Sequence, residues 1–484
     1  MGRKSDYGND IYKQLQEIMG RLDFVEKDLK TEKREHKEDV ERLEKIIVSR
    51  DREIKVLKED NERMKRILNN DSTNSSLPPS TDRKGKSANT YNTRTKSGKK
   101  AGAQAGHKGT TLTREYVEQG IREKRFVHKI KSFGTGRGEF ASRYVLDLEI
   151  TATATELRFY EDETGRISIP KEYRSDVVYG PVVKALAVEL YSEGVVANDR
   201  ICEFINAVSG KSLALSGGSI YGFCKKFARG AAYSTAQIKN ELLCAKTVGT
   251  DATVMTVNGK QAYIRNQSTK NAVLYSAMEK KNLDELKETG ILSEFTGTLV
   301  HDHETALYHF GTAHGECNVH LLRYLKKNTE ETGNHWSSEM SELLIAMNTE
   351  RKERMSAGKV FTLSELDAYE RAYNELLEKG YRENKVTKGR YAKQEEKTLL
   401  NRLSKYKENH LLFLRDFDVM FENNISERDL RKCKNRQKIS GGFRKQSGIE
   451  MYCTIMSIVE TCKRKNMQVF ENICKIFNGT PAIF

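Results

Sequence analysis

The chain has 484 residues, of which 37% are hydrophobic and 31% charged, and its formal net charge is +15. This length exceeds one compact core, because domains usually hold about 100–200 residues, so we expect several domains. No apolar run approaches the roughly 18 residues of a membrane span, and residues 1–10 lack the apolar core of a signal peptide, so we predict a cytoplasmic protein without membrane contact.

The positive charge favours a polyanionic partner, because lysines and arginines neutralise phosphates and release their counterions. Ribosome-associated and membrane-surface proteins share this property, so charge alone does not decide between them. The eight cysteines contain no Cys-x-x-Cys pair that could nucleate a zinc ribbon, and we expect them to be reduced and mostly buried.

The N-terminal residues 1–69 are predicted to form a long helix with a coiled-coil seam. Hydrophobic residues alternate spacings of four and three over residues 11–29 and again over 40–68, with a four-residue offset between the two sets. Asn61 at a core position favours an in-register pair of chains. We therefore predict a homodimer or higher oligomer, with a single charged helix as the alternative.

Residues 70–114 lose this periodicity and are rich in Ser, Thr, Gly and Lys. Between Asp82 and Glu115 there are nine Lys and Arg residues and no acid, which predicts a flexible basic linker that contacts phosphates without reading base sequence. A solubilising spacer is the alternative. The predicted DNA contacts in this linker are Lys84, Lys99, Lys100 and Lys108.

Residues 115–170 alternate apolar and polar side chains and are predicted to be β-rich, whereas residues 171–240 are predicted to be helical. Three helices are expected there, at 180–193, 198–208 and 216–228. Ser216 is able to cap the third helix, and Lys225 and Lys226 lie near its C-terminal end. A turn before such a helix is typical of a helix-turn-helix DNA reader, and plain helical packing is an equal alternative.

Residues 241–334 are predicted to contain the first part of a mixed sheet. Three strands are expected at 246–257, 261–266 and 272–277, and the Asn258-Gly259 pair predicts a type I′ turn between the first two. A helix at 283–295, a strand at 298–301, a strand-like patch around Cys317 and a helix at 319–327 follow. This order is that of the ribonuclease-H-like fold. We therefore predict a multidomain α/β protein with such a catalytic core, interrupted by a helical insertion at 335–416 and completed by 417–484.

Three carboxylates from separate segments, Asp251, Asp302 and Glu427, are predicted to converge in this fold. In-line cleavage of a phosphodiester needs an activated nucleophile and a stabilised leaving oxygen, and two Mg²⁺ ions about 3.5–4 Å apart supply both. Carboxylate oxygens are the protein ligands that Mg²⁺ prefers. Each acid alone is more easily explained as a solvated surface residue, so the prediction depends on their sequence contexts.

Glu427 stands at a predicted helix start, where Ser426 and Asp429 have the spacing of a capping box. The helix that follows is strongly basic, and a solvated basic surface is the alternative to a phosphate-binding one. The predicted DNA contacts in this region are Arg428, Arg431, Lys434, Arg436, Lys438 and Arg444.

These contexts resemble transposases of the insertion sequence 66 family, which belong to the Asp-Asp-Glu group and have ribonuclease-H-like cores. The shared segments include NSSLPPSTD and AGAQAGHKG in the linker, GTDAT around Asp251, LVHDHETALYH around Asp302, CNVHLLRYL, and NNISERDLRKCKNRQKISGGFRKQSG around Glu427. The resemblance extends over nearly the whole chain, and the last segment is its most specific part.

The resemblance implies a bacterial transposase in which Asp251, Asp302 and Glu427 are catalytic and bind two Mg²⁺ ions, with Mn²⁺ as a substitute. Its DNA substrates would be the terminal inverted repeats of the element and the target DNA, with cleavage followed by transfer of the freed 3′-hydroxyl. It further implies a nucleoid-associated location and small accessory proteins of the element as partners. A catalytically inactive DNA-binding regulator derived from such a transposase is the alternative.

Two departures from the family pattern limit what is carried over. Ala252 follows Asp251 where relatives usually have Glu, and residues 115–170 contain no cysteine, so we do not predict the zinc-binding segment of relatives. Cys317 and His320 form a Cys-x-x-His pair that is predicted to support the active site, with a structural contact as the alternative; two ligands alone do not make a closed zinc site. His301 and His303 flank Asp302, and packing or phosphate contact is the preferred interpretation of both.

Overall fold

The computed structural model describes residues 5–69, 112–133, 139, 141–388 and 390–484. The chain divides into two units, Met1–Asp82 and Arg83–Phe484. The first unit contains the single helix α1, Ser5–Asn69, which confirms the predicted long helix. Its hydrophobic side chains Leu15 and Ile18 are both more than half exposed in the single chain.

The segment predicted to be β-rich does not form a sheet. Helix α2, Arg114–Arg122, begins at Thr113, whose side chain accepts a hydrogen bond from the Tyr116 amide. The described residues of 123–170 contain no strand, only an isolated bridge between Glu161 and Ile167. The prediction was wrong because an alternating pattern of apolar and polar residues indicates a strand only when its apolar face is buried. Here the apolar residues of the pattern are exposed to solvent, for example Val145 at 87% exposure.

The next region confirms the three predicted helices and adds a fourth. These are α3, Pro181–Ser192, α4, Asn198–Val208, α5, Gly217–Gly230, and α6, Ala232–Leu243. Ser216 caps α5 as predicted, with its hydroxyl accepting from the Ser219 amide at 3.3 Å. Ile220 and Phe227 of α5 are fully buried, so this region shares the hydrophobic core of the sheet.

A five-stranded mixed sheet follows. Its strands are β1, Thr247–Val257, β2, Lys260–Ser268, β3, Val273–Met278, β4, Thr298–His301, and β5, Ala313–Glu316. The order is β3-β2-β1-β4-β5, with β1, β2 and β3 antiparallel and with β4 parallel to both β1 and β5. Asn258 and Gly259 have φ of 49° and 74°, the left-handed pair that a type I′ turn requires, as predicted.

The predicted helix after β3 is shorter than expected: α7 covers only Leu283–Glu288. After β5 comes α8, Asn318–Thr332. Four helices follow in the region predicted to be a helical insertion: α9, Trp336–Ser356, α10, Leu363–Val386, α11, Arg390–Lys405, and α12, Lys407–Arg415. The insertion packs around Trp336 and Tyr373, both fully buried, in a second hydrophobic core that it shares with α8 and with Val300 of β4. No helix among the described residues is long and apolar enough to cross a membrane.

Three helices complete the chain, α13, Asn424–Ser440, α14, Gln446–Arg464, and α15, Val469–Phe477. Helix α14 contacts β3, where the Ser457 hydroxyl accepts from the Tyr275 amide at 2.9 Å. Asp429 of α13 accepts from the Ser268 hydroxyl at 2.6 Å and pairs with Arg464 at 2.6 Å. Because Ser268 belongs to β2 and Arg464 to α14, this carboxylate ties α13 to both the sheet and the next helix.

We expect Asp429→Asn to lower the free energy of unfolding by about 3 kcal/mol, because the nearly buried Arg464 guanidinium loses its charged partner. Urea denaturation followed by circular dichroism measures the change. Asp418→Asn is the control: its pair with Lys246 is exposed, so a change below about 1 kcal/mol is expected. Equal losses in the two variants would contradict this role of Asp429.

Candidate active site

The strand register sets Asp251 and Asp302 side by side. Strands β1 and β4 are parallel neighbours, with Gly249 opposite Val300. Asp251 lies two residues further along β1, and Asp302 directly follows the last residue of β4, so the two aspartates leave this parallel pair on the same side. Burial and the charge of Asp302 raise the pKa of Asp251 to about 6, as expected for two carboxylates that share one edge of the sheet.

The third carboxylate reaches this edge because β1 has no side chain at Gly249. A Cβ there would lie 2.7 Å from Asn423 Oδ1 and 2.9 Å from Ser426 Oγ, so only glycine permits this approach of α13. Gly249 is on the same face of β1 as Asp251, since side chains alternate along a strand. The Asn423 side-chain amide donates to the Thr250 carbonyl at 2.9 Å, which fixes the first turn of α13 and Glu427 within it.

The predicted capping box at this helix start was wrong. Asn423, not Ser426, precedes the first residue of α13, and no side chain caps the helix. Ser426 is fully buried in the first turn against β1, and Asp429 pairs with Arg464 instead of capping. Tertiary contacts therefore stabilise the start of this helix, whereas the sequence pattern had indicated a local capping hydrogen bond.

Asp302, Cys317, His320 and Glu427 offer ligand atoms that all lie within 4.8 Å of one another. His320 Nδ1 is 3.2 Å from Asp302 Oδ2 and 3.7 Å from Glu427 Oε1. Burial opposes protonation of His320, but the hydrogen bonds and charges of Asp302 and Cys317 outweigh that cost and raise its pKa to about 10. The imidazole thus lies between two of the three predicted carboxylates.

Two oxygen atoms of this cluster are buried without a hydrogen-bond partner, Asp302 Oδ1 and Glu427 Oε1. Buried carboxylate oxygens normally have partners, and oxygen donors without them suit a hard divalent cation. The Cys317 thiol accepts from the Asn423 amide at 3.3 Å, so this residue also contacts the start of α13.

The histidines that flank Asp302 make structural contacts away from this cluster. His301 is fully buried, and its Nε2 lies 3.3 Å from His314 Nδ1. His303 Nδ1 lies 2.6 Å from the carboxylate of Glu316.

A cleft of about 1270 Å³ opens beside Glu427. Its lining is rich in cations, and the positively charged residues are Lys246, Lys270, Arg323, Arg351, Lys352, Arg428 and Arg431. Lys246 is paired with Asp418, and Arg351 donates to backbone carbonyls, whereas Arg428 and Arg431 are exposed. The cleft can therefore accept an anionic polymer next to the carboxylates.

The other predicted DNA contacts are placed differently. Arg436 is buried, with its guanidinium 4.1 Å from the centre of the Tyr191 ring and donating to the Tyr191 carbonyl at 3.0 Å. Its assignment to DNA was wrong, because position 436 lies on the inward face of α13. Lys225, Lys226 and Arg444 are exposed, and Lys434 and Lys438 are partly exposed. Lys84, Lys99, Lys100 and Lys108 lie outside the described residues.

An ion pair beside the carboxylates was not predicted from the sequence. Arg265 of β2 is fully buried and lies 2.7 Å from Glu304, and its Nη1 donates to the Thr250 hydroxyl at 3.2 Å. Lys281 also reaches Glu304 at 3.1 Å. Glu304 is two positions after Asp302 in the sequence, and this proximity is the one feature from which a role near the carboxylates could have been predicted. The positive charges of Arg265 and Lys281 partly oppose the rise in the pKa of Asp251.

Comparisons with known proteins agree with the residue patterns. A family model described as "Transposase IS66 family" matches residues 177–451, more than half of the chain, and this range includes all three carboxylates. A second model, a family of unknown function (DUF6444), matches residues 14–113. No curated protein matches the chain.

We expect Asp251→Asn to stabilise the metal-free protein at pH 8. The folded-state pKa of about 6 exceeds the unfolded value near 3.8, so ionising Asp251 costs stability as the pH rises through this window. The gain is at most about 3 kcal/mol, since one pKa unit corresponds to about 1.4 kcal/mol. Thermal unfolding in EDTA at pH 8 and pH 4 measures it, and a gain at pH 4 as large as at pH 8 would contradict the assignment.

Proposed function

The chain belongs to the IS66 family of transposases, and we propose that it is the transposase of a bacterial insertion sequence that cleaves DNA at the terminal inverted repeats. It then transfers the freed 3′-hydroxyl to target DNA. The observation that supports this proposal most strongly is the cluster of Asp302, Cys317, His320 and Glu427 beside a basic cleft, with Asp251 near enough to Asp302 for its pKa to be raised by that charge.

The sheet supports a ribonuclease-H-like core. Its order β3-β2-β1-β4-β5 combines an antiparallel meander with two strands parallel to β1. The three acids come from β1, from the end of β4 and from a late helix, which is the arrangement that the sequence analysis expected of this fold.

The family implies a divalent metal, and the carboxylates fit one. Asp251, Asp302 and Glu427 would hold Mg²⁺, or Mn²⁺ in its place, because Asp302 Oδ1 and Glu427 Oε1 are buried and lack partners. When bound, such ions activate the attacking oxygen and stabilise the leaving oxygen of the phosphodiester.

The protein's own residues orient these ligands and the DNA. His320 Nδ1 lies between Asp302 and Glu427 and restricts the rotation of both carboxylates, a supporting role of the kind predicted for the Cys317–His320 pair. Arg428 and Arg431 follow Glu427 on the cleft side of α13 and neutralise phosphates of the bound strand. Lys225 and Lys226, exposed on α5, are placed to make further backbone contacts.

Helix α1 supports a homodimer. Its hydrophobic residues repeat with heptad spacing and are largely exposed in the single chain, so a second copy of the helix would cover them. Two linked subunits would bind the two ends of the element together.

We expect Asp302→Asn and Glu427→Gln each to reduce Mg²⁺-dependent cleavage of a duplex carrying the element end by at least about 100-fold, because each variant loses a metal-binding oxygen. Cleavage is measured on a labelled duplex, and binding to the same duplex should persist. Glu450→Gln, an exposed carboxylate on α14, is the matched control and should cleave normally. Binding without cleavage by the unaltered protein would instead indicate a DNA-binding regulator.

We expect the double change Arg428→Ala and Arg431→Ala to weaken DNA binding to all sequences alike, since phosphate contacts carry no base information. The slope of the logarithm of the association constant against the logarithm of salt concentration is negative, and it should become less steep by about two. Lys359→Ala, an exposed cation outside the cleft, serves as the control. An unchanged slope in the double variant would remove α13 from the DNA interface.

A further inference from the structure

A fully buried carboxylate, Glu316, lies at the end of β5 between the sheet and the helical insertion. On one side it accepts from Arg402 of α11 at 2.7 Å and contacts His410 of α12 at 3.0 Å. His410 is itself fully buried. Burial would raise the pKa of Glu316, but hydrogen bonds from His303 and His410 and the charge of Arg402 hold it well below its ordinary value.

On its other side the same carboxylate holds the turn that carries Asp302. His303 Nδ1 lies 2.6 Å from Glu316 Oε1, and the Tyr308 hydroxyl donates to the same oxygen. His303 directly follows Asp302 and has φ of 55°, a left-handed conformation that costs free energy in residues other than glycine and persists where surrounding contacts impose it.

The strand pairing brings these two sides together. Strands β4 and β5 are parallel, with His301 opposite Glu316, and the Cys317 amide donates to the His301 carbonyl at 3.0 Å. Glu316 is therefore one strand away from the residue that begins the Asp302 turn. The insertion thus contacts this turn through Glu316 and also through Tyr406, whose ring centre lies 4.6 Å from that of His303 and 5.1 Å from that of Tyr308.

We propose that Glu316 is a positioning residue, through which the helical insertion holds the Asp302 turn in the conformation that receives the metal. This inference rests on the proposed function. It assigns the insertion a role in assembling the catalytic site, in addition to any contact with DNA. Outer partners that orient a metal-binding carboxylate usually change metal affinity about 10- to 100-fold when they are removed.

The insertion offers a matched control in Glu396, a second fully buried carboxylate. It accepts from Trp336 at 2.7 Å, from Asn334 at 2.7 Å and from Thr387 at 2.6 Å. Further donors are Asn328 and Asn384. These partners belong to the insertion, to α8 or, for Asn334, to the short connection between them, so Glu396 stabilises the helices without contacting the Asp302 turn.

The test compares Glu316→Gln with Glu396→Gln in the full chain. In the metal-free proteins, amide hydrogen exchange of peptides covering residues 301–310 should be at least about tenfold faster in Glu316→Gln than in the unaltered protein. The same peptides should be unchanged in Glu396→Gln. The Mg²⁺ concentration for half-maximal cleavage should rise about tenfold in Glu316→Gln only, with little change in the KM for DNA.

His303→Asn decides the matter if Glu316→Gln does not fold. Asparagine tolerates positive φ but is too short to maintain the contact with Glu316, which keeps Arg402 and His410 as partners. Because His303 also packs against the Tyr406 ring, Tyr406→Leu is the matched control. Exchange at 301–310 that is faster in His303→Asn than in Tyr406→Leu supports the proposal, and exchange no faster than in Tyr406→Leu overturns it. Equal effects of Glu316→Gln and Glu396→Gln on these peptides also overturn it. Absence of cleavage by the unaltered protein would refute the proposed function. The hydrogen-exchange data would still test whether Glu316 positions the Asp302 turn.

Discussion

The close approach of α13 to β1 at Gly249 is the constraint on which the site depends. Without a side chain there, Asn423 reaches the Thr250 carbonyl and Ser426 packs directly against the strand. The first turn of α13 is thereby set beside the middle of β1, where Asp251 lies, and beside the end of β4, which Asp302 follows. A helix displaced by one methyl group would carry Glu427 away from both, since protein interiors have little free volume to absorb the shift.

Burying Asp251 near Asp302 opposes folding, and the surrounding structure offsets this cost. The raised pKa of Asp251 expresses burial and repulsion by Asp302. Arg265 and Lys281, which also pair with Glu304, place positive charge near Asp251 and lower its pKa. Asp429 anchors α13 to β2 and α14. The free energy gained by packing the core thus partly offsets the unfavourable burial of these carboxylates, and a bound divalent cation would reduce that unfavourable contribution.

The sequence predicted the features that depend on local patterns. The Asn258-Gly259 turn, the strand before Asp302 and the helices of the insertion follow from periodicity and turn chemistry, and the structure contains them. The predictions for Ser426 and Arg436 were wrong for a common reason. Both are polar residues of a type usually found at the surface, but Ser426 is buried against β1 and Arg436 against Tyr191. The roles of Glu316 and Gly249 were not visible either, because each depends on partners far away in the chain.

The order of the elements along the chain has a consequence for synthesis. Asp302 is made long before α13 and α14, yet the first turn of α13 adds Glu427 to its cluster and Arg464 of α14 secures that helix. Helix α5, which carries Lys225 and Lys226, also shares a hydrophobic core with α14. Neither the cluster nor the packing of α5 is therefore complete until the C-terminal helices have emerged.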